Sequence, residues 1–370
     1  MRIVVAGGGT AGHVFPALAM AEVLRRDHGA DVEFLGSAEG QEALLVPAAG
    51  YPFTPLRVAS AQTRVSLRSF RAIRLTFSAA RRCRPLVAEA DAVVGIGGYA
   101  SAPGALAARR TRRPLVLVEP NSVPGAVNRI AARWARAVAV TFEATAARLP
   151  EHVRVERTGN PVRPEIVAVG ERRAELAAEA RTAFGLERDR RTVLVLGGSQ
   201  GALHLDQIVA GAIGLLRDRA DLQLLVAAGP SHVDLVRAAA RHAGQLVVHA
   251  AGFIERMDHA LAVADLAVSR AGAGHIAELT VCGVPSILVP YPHATANHQE
   301  ANARELERAA AAEVVLDAEL TQEELVRRVT ALADDTARRE SMAAAARAWA
   351  RPDADVRLAA LVASVAGGRP

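Results

Sequence analysis

The chain has 370 residues, of which 51% are hydrophobic and 22% charged, with two cysteines and a formal net charge of +5. This length accommodates two domains with cores of their own, and the composition excludes a disordered chain, a disulfide framework and a cysteine-rich zinc site. Residues 1–163 hold 22 arginines against 12 acidic residues, which indicates either an anionic ligand or surface for this half or merely uneven arginine usage.

The first element is a buried-type strand, Ile3–Ala6, directly after the N-terminus. It leaves no room for a signal peptide, and no apolar run approaches the roughly 18–20 residues of a membrane span. We therefore expect a cytoplasmic protein that is soluble or at most peripheral to a membrane.

A glycine turn, Gly7–Gly12, follows this strand, and then a helix, Val14–Arg26, with Pro16 in its first turn, where proline is tolerated. The turn matches a dinucleotide fingerprint in form. The acidic residue that should close the second strand is missing, because Leu35-Gly36 stands there. The pattern therefore does not favour NAD or FAD, and no cofactor is expected.

Residues 64–84 predict a basic helix. Its apolar side chains recur at helical spacing, and arginines cluster opposite them; the apolar set is Phe70, Ile73, Phe77 and Ala80, and the arginines are Arg64, Arg68, Arg71 and Arg82. Such a helix can dock at an anionic bilayer, with about 1 kcal/mol for each nearby basic residue. Alternatively, the apolar face packs on the sheet and the arginines face solvent.

Strands and helices then alternate to the end of the chain. Ala92–Ile96 leads into Gly97-Gly98-Tyr99, and the plan restarts after a Pro/Gly-rich hinge, 158–164, with a strand at Thr192–Leu196 and a turn at Gly197–Ala202. This alternation predicts an α/β protein with two Rossmann-like parallel-sheet domains that face each other across a cleft. We expect the boundaries 1–162 and 163–350, with a final helix, 351–366, that can cross back to the first domain.

The stretch from Asp265 to Asn302 carries the clearest chemical signal. A strand ends in the turn Arg270–Gly274, and a helix, His275–Cys282, follows. A glycine-rich turn that opens a helix offers free N–H groups and the positive end of a dipole to a diphosphate. Glu278, one turn further, can accept both hydroxyls of a ribose; the alternative is a solvated helix glutamate.

Glycine turns stand at four equivalent places, 7–12, 97–98, 197–201 and 272–274. In open α/β sheets, ligands bind at the carboxyl ends of the strands, where these turns lie. Glycine lets the backbone approach phosphates closely, and Ser199 adds a hydroxyl. The four turns together predict a phosphate-containing ligand.

Several motifs, in this order and spacing, resemble the MurG family of bacterial glycosyltransferases, which have the GT-B fold. They are GGGTAGHVFPALA, GIGGYASAP, EPNSVPGAVNR, GNPVR, GGSQGA, GFIERM and SRAGAGHIAELTVCGVPSILVPYPHATANHQEANA, and they cover nearly the whole chain. The resemblance implies an inverting transfer of N-acetylglucosamine from its UDP ester to the 4-hydroxyl of the muramyl sugar of lipid I. The product is lipid II, made for peptidoglycan synthesis and hence for cell shape and division.

The resemblance also implies partners and a location. The substrates are UDP-N-acetylglucosamine and lipid I, an undecaprenyl-diphosphate muramyl-pentapeptide. The C-terminal domain binds the donor, and the N-terminal domain binds the acceptor and the cytoplasmic face of the cell membrane, where cell-wall synthesis proteins are further candidate partners. The chain has no plausible DxD motif, so a metal-independent mechanism is expected.

The family motifs assign roles to individual residues. His13 is the candidate general base, or else only binds substrate. The helix tip Gly272–His275, the loop 197–201 and Arg163 face the leaving diphosphate; Phe253 and Ile254 hold the uracil; His298 and Gln299 read the sugar hydroxyls. Tyr99 and Asn121 line the acceptor side. The remaining donor positions are Thr10, Ala11, Gly12, Asn121, Gln200, Ala273 and Gly274, and the remaining acceptor positions are Gly9 and Gly98.

Three other functions stay open from the sequence. One is a glycosyltransferase of the same fold that acts on a soluble natural product, the second is a UDP-sugar epimerase, and the third is a non-catalytic binding protein. Nucleic acid is not expected as a partner, because the arginine-rich segment lacks an aromatic stacking platform.

Overall fold

A computed structural model describes residues 1–9, 11–59, 67–198 and 202–368, with residues 11 and 67–70 described by their backbone alone. The chain divides into two compact units. Unit 1 comprises Met1–Arg163 and Arg351–Pro370, and unit 2 comprises Pro164–Ala350. Each unit is built on its own parallel β-sheet, and the final helix belongs to unit 1.

Unit 1 contains a seven-stranded sheet in the order β3-β2-β1-β4-β5-β6-β7, with every neighbouring pair parallel. Its strands are β1 (Arg2–Ala6), β2 (Asp31–Ser37), β3 (Phe53–Leu56), β4 (Ala92–Gly95), β5 (Leu115–Glu119), β6 (Ala137–Val140) and β7 (Arg154–Arg157). Its helices are α1 (Ala11–His28), α2 (Glu42–Ala48), α3 (Leu67–Ala88), α4 (Ala102–Thr111), α5 (Ala126–Ala131) and α15 (Ala354–Gly367).

Strand β1 shows why this sheet needs helices on both faces. Successive side chains of a strand point to opposite faces. Ile3 and Val5 lie in one apolar core with residues of α1 and α15, whereas Val4 and Ala6 lie in a second core with residues of α3 and α4. A continuous aliphatic run is therefore buried on both sides, as in other parallel sheets.

Unit 2 repeats the plan with a six-stranded parallel sheet in the order β10-β9-β8-β11-β12-β13. The strands are β8 (Arg191–Leu196), β9 (Leu222–Ala227), β10 (Val247–Ala251), β11 (Leu266–Ser269), β12 (Ser286–Leu288) and β13 (Ala312–Val314). The helices are α6 (Pro164–Val167), α7 (Val169–Phe184), α8 (Leu203–Leu215), α9 (Val233–Ala240), α10 (Met257–Val263), α11 (Ala273–Val281), α12 (His298–Arg308), α13 (Gln322–Asp334) and α14 (Thr336–Trp349).

Two helices begin earlier than the sequence predicts. Helix α1 starts at Ala11 rather than Val14, so Pro16 lies in its second turn and not in its first. Helix α11 starts at Ala273 rather than His275, so Gly274 is a helical residue and not part of the turn. In both cases the glycines suggested a longer turn than the backbone forms, because glycine is permitted in a helix at a modest cost.

Two environments were open for the apolar face of the basic helix, and packing on the sheet does not hold for Ile73 and Phe77, whose environment Ala80 does not share. Ala72, Ala79, Ala80 and Cys83 are buried, whereas Ile73 and Phe77 are 51% and 45% exposed. Cys83 directs its Sγ towards the carbonyl of Pro103 on α4. Small residues therefore form the face that packs against α4, and the larger apolar residues remain at the surface.

Candidate active site

In unit 1, two glycine loops follow adjacent strands of the sheet. Strand β1 pairs with β4, and both run in the same direction, so Gly7–Gly9 and Gly97-Gly98 emerge side by side at the carboxyl edge. All five glycines have positive φ, between +70° and +142°, which L-residues rarely adopt. A Cβ built on Gly7 would also collide with the side chain of Ile96.

A buried carboxylate holds the first of these loops. Glu42, at the start of α2, is only 2% exposed. One of its oxygens accepts a hydrogen bond from the Gly9 backbone N–H at 2.7 Å, and the other accepts from the Ser37 N–H at 2.8 Å. Cβ atoms on Gly8, Gly36 or Gly40 would collide with this carboxylate. Glu42 was not among the predicted site residues, although its position among glycines and at a helix start was a usable signal.

His13 lies in the first turn of α1 and is half-buried. A Cβ built on Gly97 would lie 3.6 Å from both its Nε2 and the Nδ2 of Asn128. A Cβ on Gly9 would lie 3.9 Å from the ring of Tyr99. The structure therefore brings His13, Gly9, Gly98 and Tyr99 to one edge of the unit 1 sheet, together with Asn128, which the sequence analysis did not select.

Asn121 lies in the loop after β5, which is organised by Glu119. The Glu119 carboxylate is 2% exposed and accepts from the backbone N–H groups of Asn121 at 3.1 Å and Gly125 at 2.9 Å, and from Asn128 Nδ2 at 2.9 Å. Burial raises the pKa of Glu119, and these donors oppose that shift. Glu119 belongs to one of the family motifs, but no role was predicted for it from the sequence.

Arg163 ends the first segment of unit 1. Its guanidinium lies over the ring of Phe15 with 5.8 Å to the centroid, two residues along α1 from His13. The structure thus places Arg163, a predicted donor contact, near the same helix start as the candidate base. Gly12 is exposed in that first turn.

Unit 2 presents the same arrangement at its carboxyl edge. Strands β8 and β11 are parallel neighbours, so Gly197-Gly198 lies beside the turn at Gly272. Gly198 has a φ of +102°. Behind this loop, Asp206 is fully buried and accepts from the Ala202 N–H at 3.0 Å and from His232 Nδ1 at 2.9 Å.

Helix α11 begins at this edge with Gly272 as its N-cap residue. Ala273, Gly274 and His275 form its first turn, where backbone N–H groups have no intrahelical acceptor. His275 Nδ1 lies 3.3 Å from Ser269 Oγ, and burial lowers the pKa of its imidazole. Glu278 follows one turn later and is half-buried. This geometry can bind an anion at the helix tip with a carboxylate beside it.

Gln299 joins two of the loops around the helix tip. Its Oε1 accepts from the Ala271 N–H at 3.1 Å and from the Tyr291 N–H at 2.9 Å. Two backbone N–H groups therefore occupy the side-chain carbonyl of Gln299. Its amide nitrogen is the group that remains to form a hydrogen bond with a ligand. His298 is half-buried, and its Nδ1 lies 2.8 Å from the carbonyl oxygen of Thr295.

Arg270 is a further residue that the sequence analysis missed. It is 5% exposed and donates to the carbonyls of Val289 and Pro290 and to Asp317. These contacts fix the ends of β11 and β12 relative to each other. The available signal was an arginine directly after a predicted apolar strand.

Phe253 and Ile254 follow β10 and differ in environment. Phe253 is 69% exposed and Ile254 is 4% exposed. Only Phe253 therefore presents its side chain at the surface, whereas Ile254 contributes backbone groups and core packing.

Among the described residues, no three histidine, cysteine, aspartate or glutamate side chains are grouped so that they could hold a metal ion.

Some predicted positions cannot be placed. Thr10, Arg64, Ser199 and Gln200 lie outside the described residues, as do the side chains of Ala11, Arg68 and Phe70. Of the predicted membrane contacts, Arg71, Ile73 and Phe77 are exposed on α3. Along the described part of the chain, none of the helices has the length and apolarity that crossing a bilayer requires.

Two family models match the chain. Residues 3–140 match the Glycosyltransferase family 28 N-terminal domain, and residues 192–358 match the Glycosyltransferase family 28 C-terminal domain. A relative from a Nocardioides species is 42% identical over 370 residues, which covers 98% of this chain and 97% of the relative. That relative is named as a UDP-N-acetylglucosamine–N-acetylmuramyl-(pentapeptide) pyrophosphoryl-undecaprenol N-acetylglucosamine transferase.

Solved structures with a similar fold cover nearly the whole chain. MurG from Acinetobacter baumannii is 30% identical and superposes with a TM-score of 0.79 over 98% of this chain and 99% of its own. A UDP-GlcNAc 2-epimerase from Neisseria meningitidis, solved with UDP-GlcNAc, has a TM-score of 0.71 over 98% of this chain and 100% of its own, at 12% identity. At that identity, the likeness concerns the fold alone.

Proposed function

This chain belongs to glycosyltransferase family 28, and we propose that it transfers N-acetylglucosamine from UDP-N-acetylglucosamine to N-acetylmuramyl-(pentapeptide) pyrophosphoryl-undecaprenol, giving lipid II. The observation that carries this function is the 42% identity, over nearly the full length of both chains, to a relative named for that reaction. The likeness to the epimerase concerns the fold alone and does not favour isomerisation.

Unit 2 holds the donor in this proposal. The diphosphate lies at the N-terminus of α11, where the N–H groups of Ala273, Gly274 and His275 and the helix dipole stabilise the negative charge that develops on UDP. Glu278 accepts the ribose hydroxyls. Gln299 donates its amide nitrogen to a sugar hydroxyl, since its carbonyl is engaged by Ala271 and Tyr291.

The uracil lies against Phe253 and the backbone of Ile254. The exposure of the Phe253 ring, at 69%, supports this assignment, because covering an apolar ring that is otherwise in water stabilises a complex. His298 and Arg163 complete the donor contacts, and the loop at Gly197-Gly198 contributes backbone N–H groups.

Unit 1 supplies the acceptor side and the base. His13 takes the proton of the muramyl 4-hydroxyl as this oxygen attacks the anomeric carbon from the face opposite UDP, which inverts the configuration. Gly9, Gly98, Tyr99 and Asn121 contact the acceptor. The Glu42 carboxylate supports this arrangement, because its bond to Gly9 fixes the loop that leads into α1.

Helix α3 is the membrane contact in this proposal. Its exposed side includes Ile73 and Phe77 together with Arg71, Arg74 and Arg81. Large apolar side chains beside arginines suit the boundary between acyl chains and anionic headgroups. This location would bring the polyprenyl-linked acceptor to the enzyme at the cytoplasmic face of the membrane.

The role of His13 is tested by comparing His13→Ala with His28→Ala, an exposed histidine at the other end of the same helix. We expect His13→Ala to lower kcat by about 10²–10⁴-fold, with UDP affinity retained, and His28→Ala to behave as wild type. Full turnover by His13→Ala would show that His13 is not the general base.

A metal-independent transfer predicts that UDP release continues in excess EDTA. Loss of activity on chelation would contradict the metal-independent mechanism.

A further inference from the structure

Unit 2 contains a concave surface that lies away from the glycine loops. This groove has a volume of about 970 Å³ and runs between α7 and α14. Its floor includes Asp265, immediately before β11, and Pro285, immediately before β12. The groove therefore lies at the amino edge of the sheet, opposite the carboxyl edge where the candidate donor site lies.

Five arginines and three carboxylates line the groove. Two of the arginines are already satisfied. Arg173 donates to the carbonyls of Leu261, Ala262, Ala264 and Cys282, so it ties together the ends of α10 and α11. Arg339 donates to carbonyls at the end of α13 and to Thr336.

The other three arginines have no such partners. Within the described part of the chain, the guanidinium groups of Arg181, Arg188 and Arg347 make no hydrogen bond or ion pair, and Arg181 Nε is buried from solvent. A buried N–H group without an acceptor is costly. This cost applies to Arg181 Nε, whereas Arg188 and Arg347 are exposed and offer guanidinium groups that no acceptor of the described residues occupies.

The three carboxylates of the groove offset only part of this charge, because the five arginines outnumber them by two. Asp265 accepts a hydrogen bond from the Thr192 backbone N–H at 2.7 Å. Asp189 and Glu340 form no ion pair within 4 Å with the described residues. The groove therefore keeps an excess of two positive charges, and neither Asp189 nor Glu340 occupies a guanidinium group.

Arg347 lies directly over a glycine on the groove floor. Gly283 has a φ of +61°, and a Cβ built there would collide with the Arg347 side chain. The absence of a side chain lets this guanidinium lie close to the backbone beside Cys282, whose carbonyl accepts from Arg173 at 3.0 Å. Two guanidinium groups thus converge at one place; burial, and to a lesser extent the charge of Arg347, lower the pKa of Arg173.

We propose that this groove binds a soluble, phosphate-bearing small molecule through Arg181, Arg188 and Arg347. The planar fork of a guanidinium matches the oxygens of a phosphate, and such charge-assisted bonds are among the stronger polar contacts in proteins. The volume suits a metabolite larger than a bare phosphate. Alanines on the walls, Ala174, Ala177, Ala178 and Ala343, leave room for its remainder.

The test is calorimetric titration of the full chain with inorganic pyrophosphate in the presence of saturating UDP, which occupies the proposed donor site. We expect binding that weakens by at least about tenfold in Arg181→Gln and in Arg347→Gln. Arg188→Gln, in an exposed turn, gives a third variant that leaves the helices intact. The control is Arg172→Gln, which removes the same charge from α7 at an exposed position that does not line the groove.

Retained affinity in the control and loss in the groove variants would support the site. Absence of pyrophosphate binding by the wild type, equal binding by all variants, or an equal loss in Arg172→Gln would overturn it. Pyrophosphate binding that UDP abolishes would assign the anion to the nucleotide site and overturn it as well.

Discussion

The carboxylate of Glu42 and the backbone N–H of Gly9 are joined by a 2.7 Å hydrogen bond across 33 positions of the chain. The second carboxylate oxygen binds the Ser37 N–H at the end of β2. One buried side chain therefore sets the distance between two loops at the carboxyl edge of unit 1. Because α1 starts two residues after Gly9, the same contact bears on the position of His13.

Glu42→Ala should destabilise unit 1 and reduce turnover. It leaves the buried Ser37 N–H without an acceptor, at a cost of about 1–3 kcal/mol, and it removes the acceptor of the half-buried Gly9 N–H in the loop before His13. Urea unfolding and kcat are the measurements, with Glu39→Ala, an exposed neighbour, as the control. If Glu42→Ala kept the stability and turnover of the wild type, the carboxylate would not be needed to fix the Gly9 loop or to position His13.

Phe253 and Ile254 should respond oppositely to truncation. Phe253→Ala removes a ring that is 69% exposed, so UDP affinity should fall while the unfolding midpoint stays unchanged. Ile254→Ala removes a side chain that is 4% exposed and should cost about 2–5 kcal/mol of stability. Titration with UDP and thermal unfolding separate the two effects. Unchanged UDP affinity in Phe253→Ala would remove the ring from the uracil site.

The stability of the protein should fall in mildly acidic solution because of His275. Burial lowers the pKa of its imidazole below the ordinary value of 6.5. Because the folded state resists protonation of His275, the neutral imidazole contributes fully to the free energy of unfolding above pH 6.5. This contribution is lost as the pH falls through the pKa of the folded state. As the pH is lowered from about 7.5 to about 5, the midpoint temperature of thermal unfolding should therefore fall less steeply in His275→Gln than in wild type. The exposed His293, changed to glutamine, is the control; identical slopes for wild type and His275→Gln would contradict the prediction.

The exposed apolar residues of α3 should matter for membranes and not for folding. The double variant Ile73→Ser, Phe77→Ser should bind phosphatidylglycerol vesicles more weakly than wild type, with the same unfolding midpoint. Ile130→Ser is the matched control, since Ile130 on α5 is also 51% exposed. Co-sedimentation measures the binding. Equal vesicle binding by the double variant and wild type would remove this face as the contact.

The glycine turns and aliphatic runs predicted most strands and both parallel sheets, because these signals are local. Buried polar residues were harder to find. The sequence shows that Glu42 lies among glycines and that Arg270 follows a strand, but the roles of both, and of Glu119, depend on backbone groups that only the fold brings near them. Glu42 is a clear example, since it contacts Gly9 only because β1 and β2 are adjacent.

The sequence left open whether the apolar side chains of α3 pack on the sheet or stay at the surface, for a different physical reason. Hydrophobic periodicity favours large side chains as the buried set. Helices that pack closely need small residues at the contact, and here alanines and Cys83 meet α4. Size complementarity with a neighbouring helix is not encoded in the spacing of one segment.

The central claim is the transfer of a sugar between two substrates. Its most direct test is the mass of the lipid product after incubation of the chain with UDP-N-acetylglucosamine and a short-chain lipid I. We predict a product heavier by one N-acetylglucosamine residue, with equimolar UDP, only when both substrates are present. An unchanged lipid acceptor, with the donor either untouched or isomerised in its absence, would contradict the account.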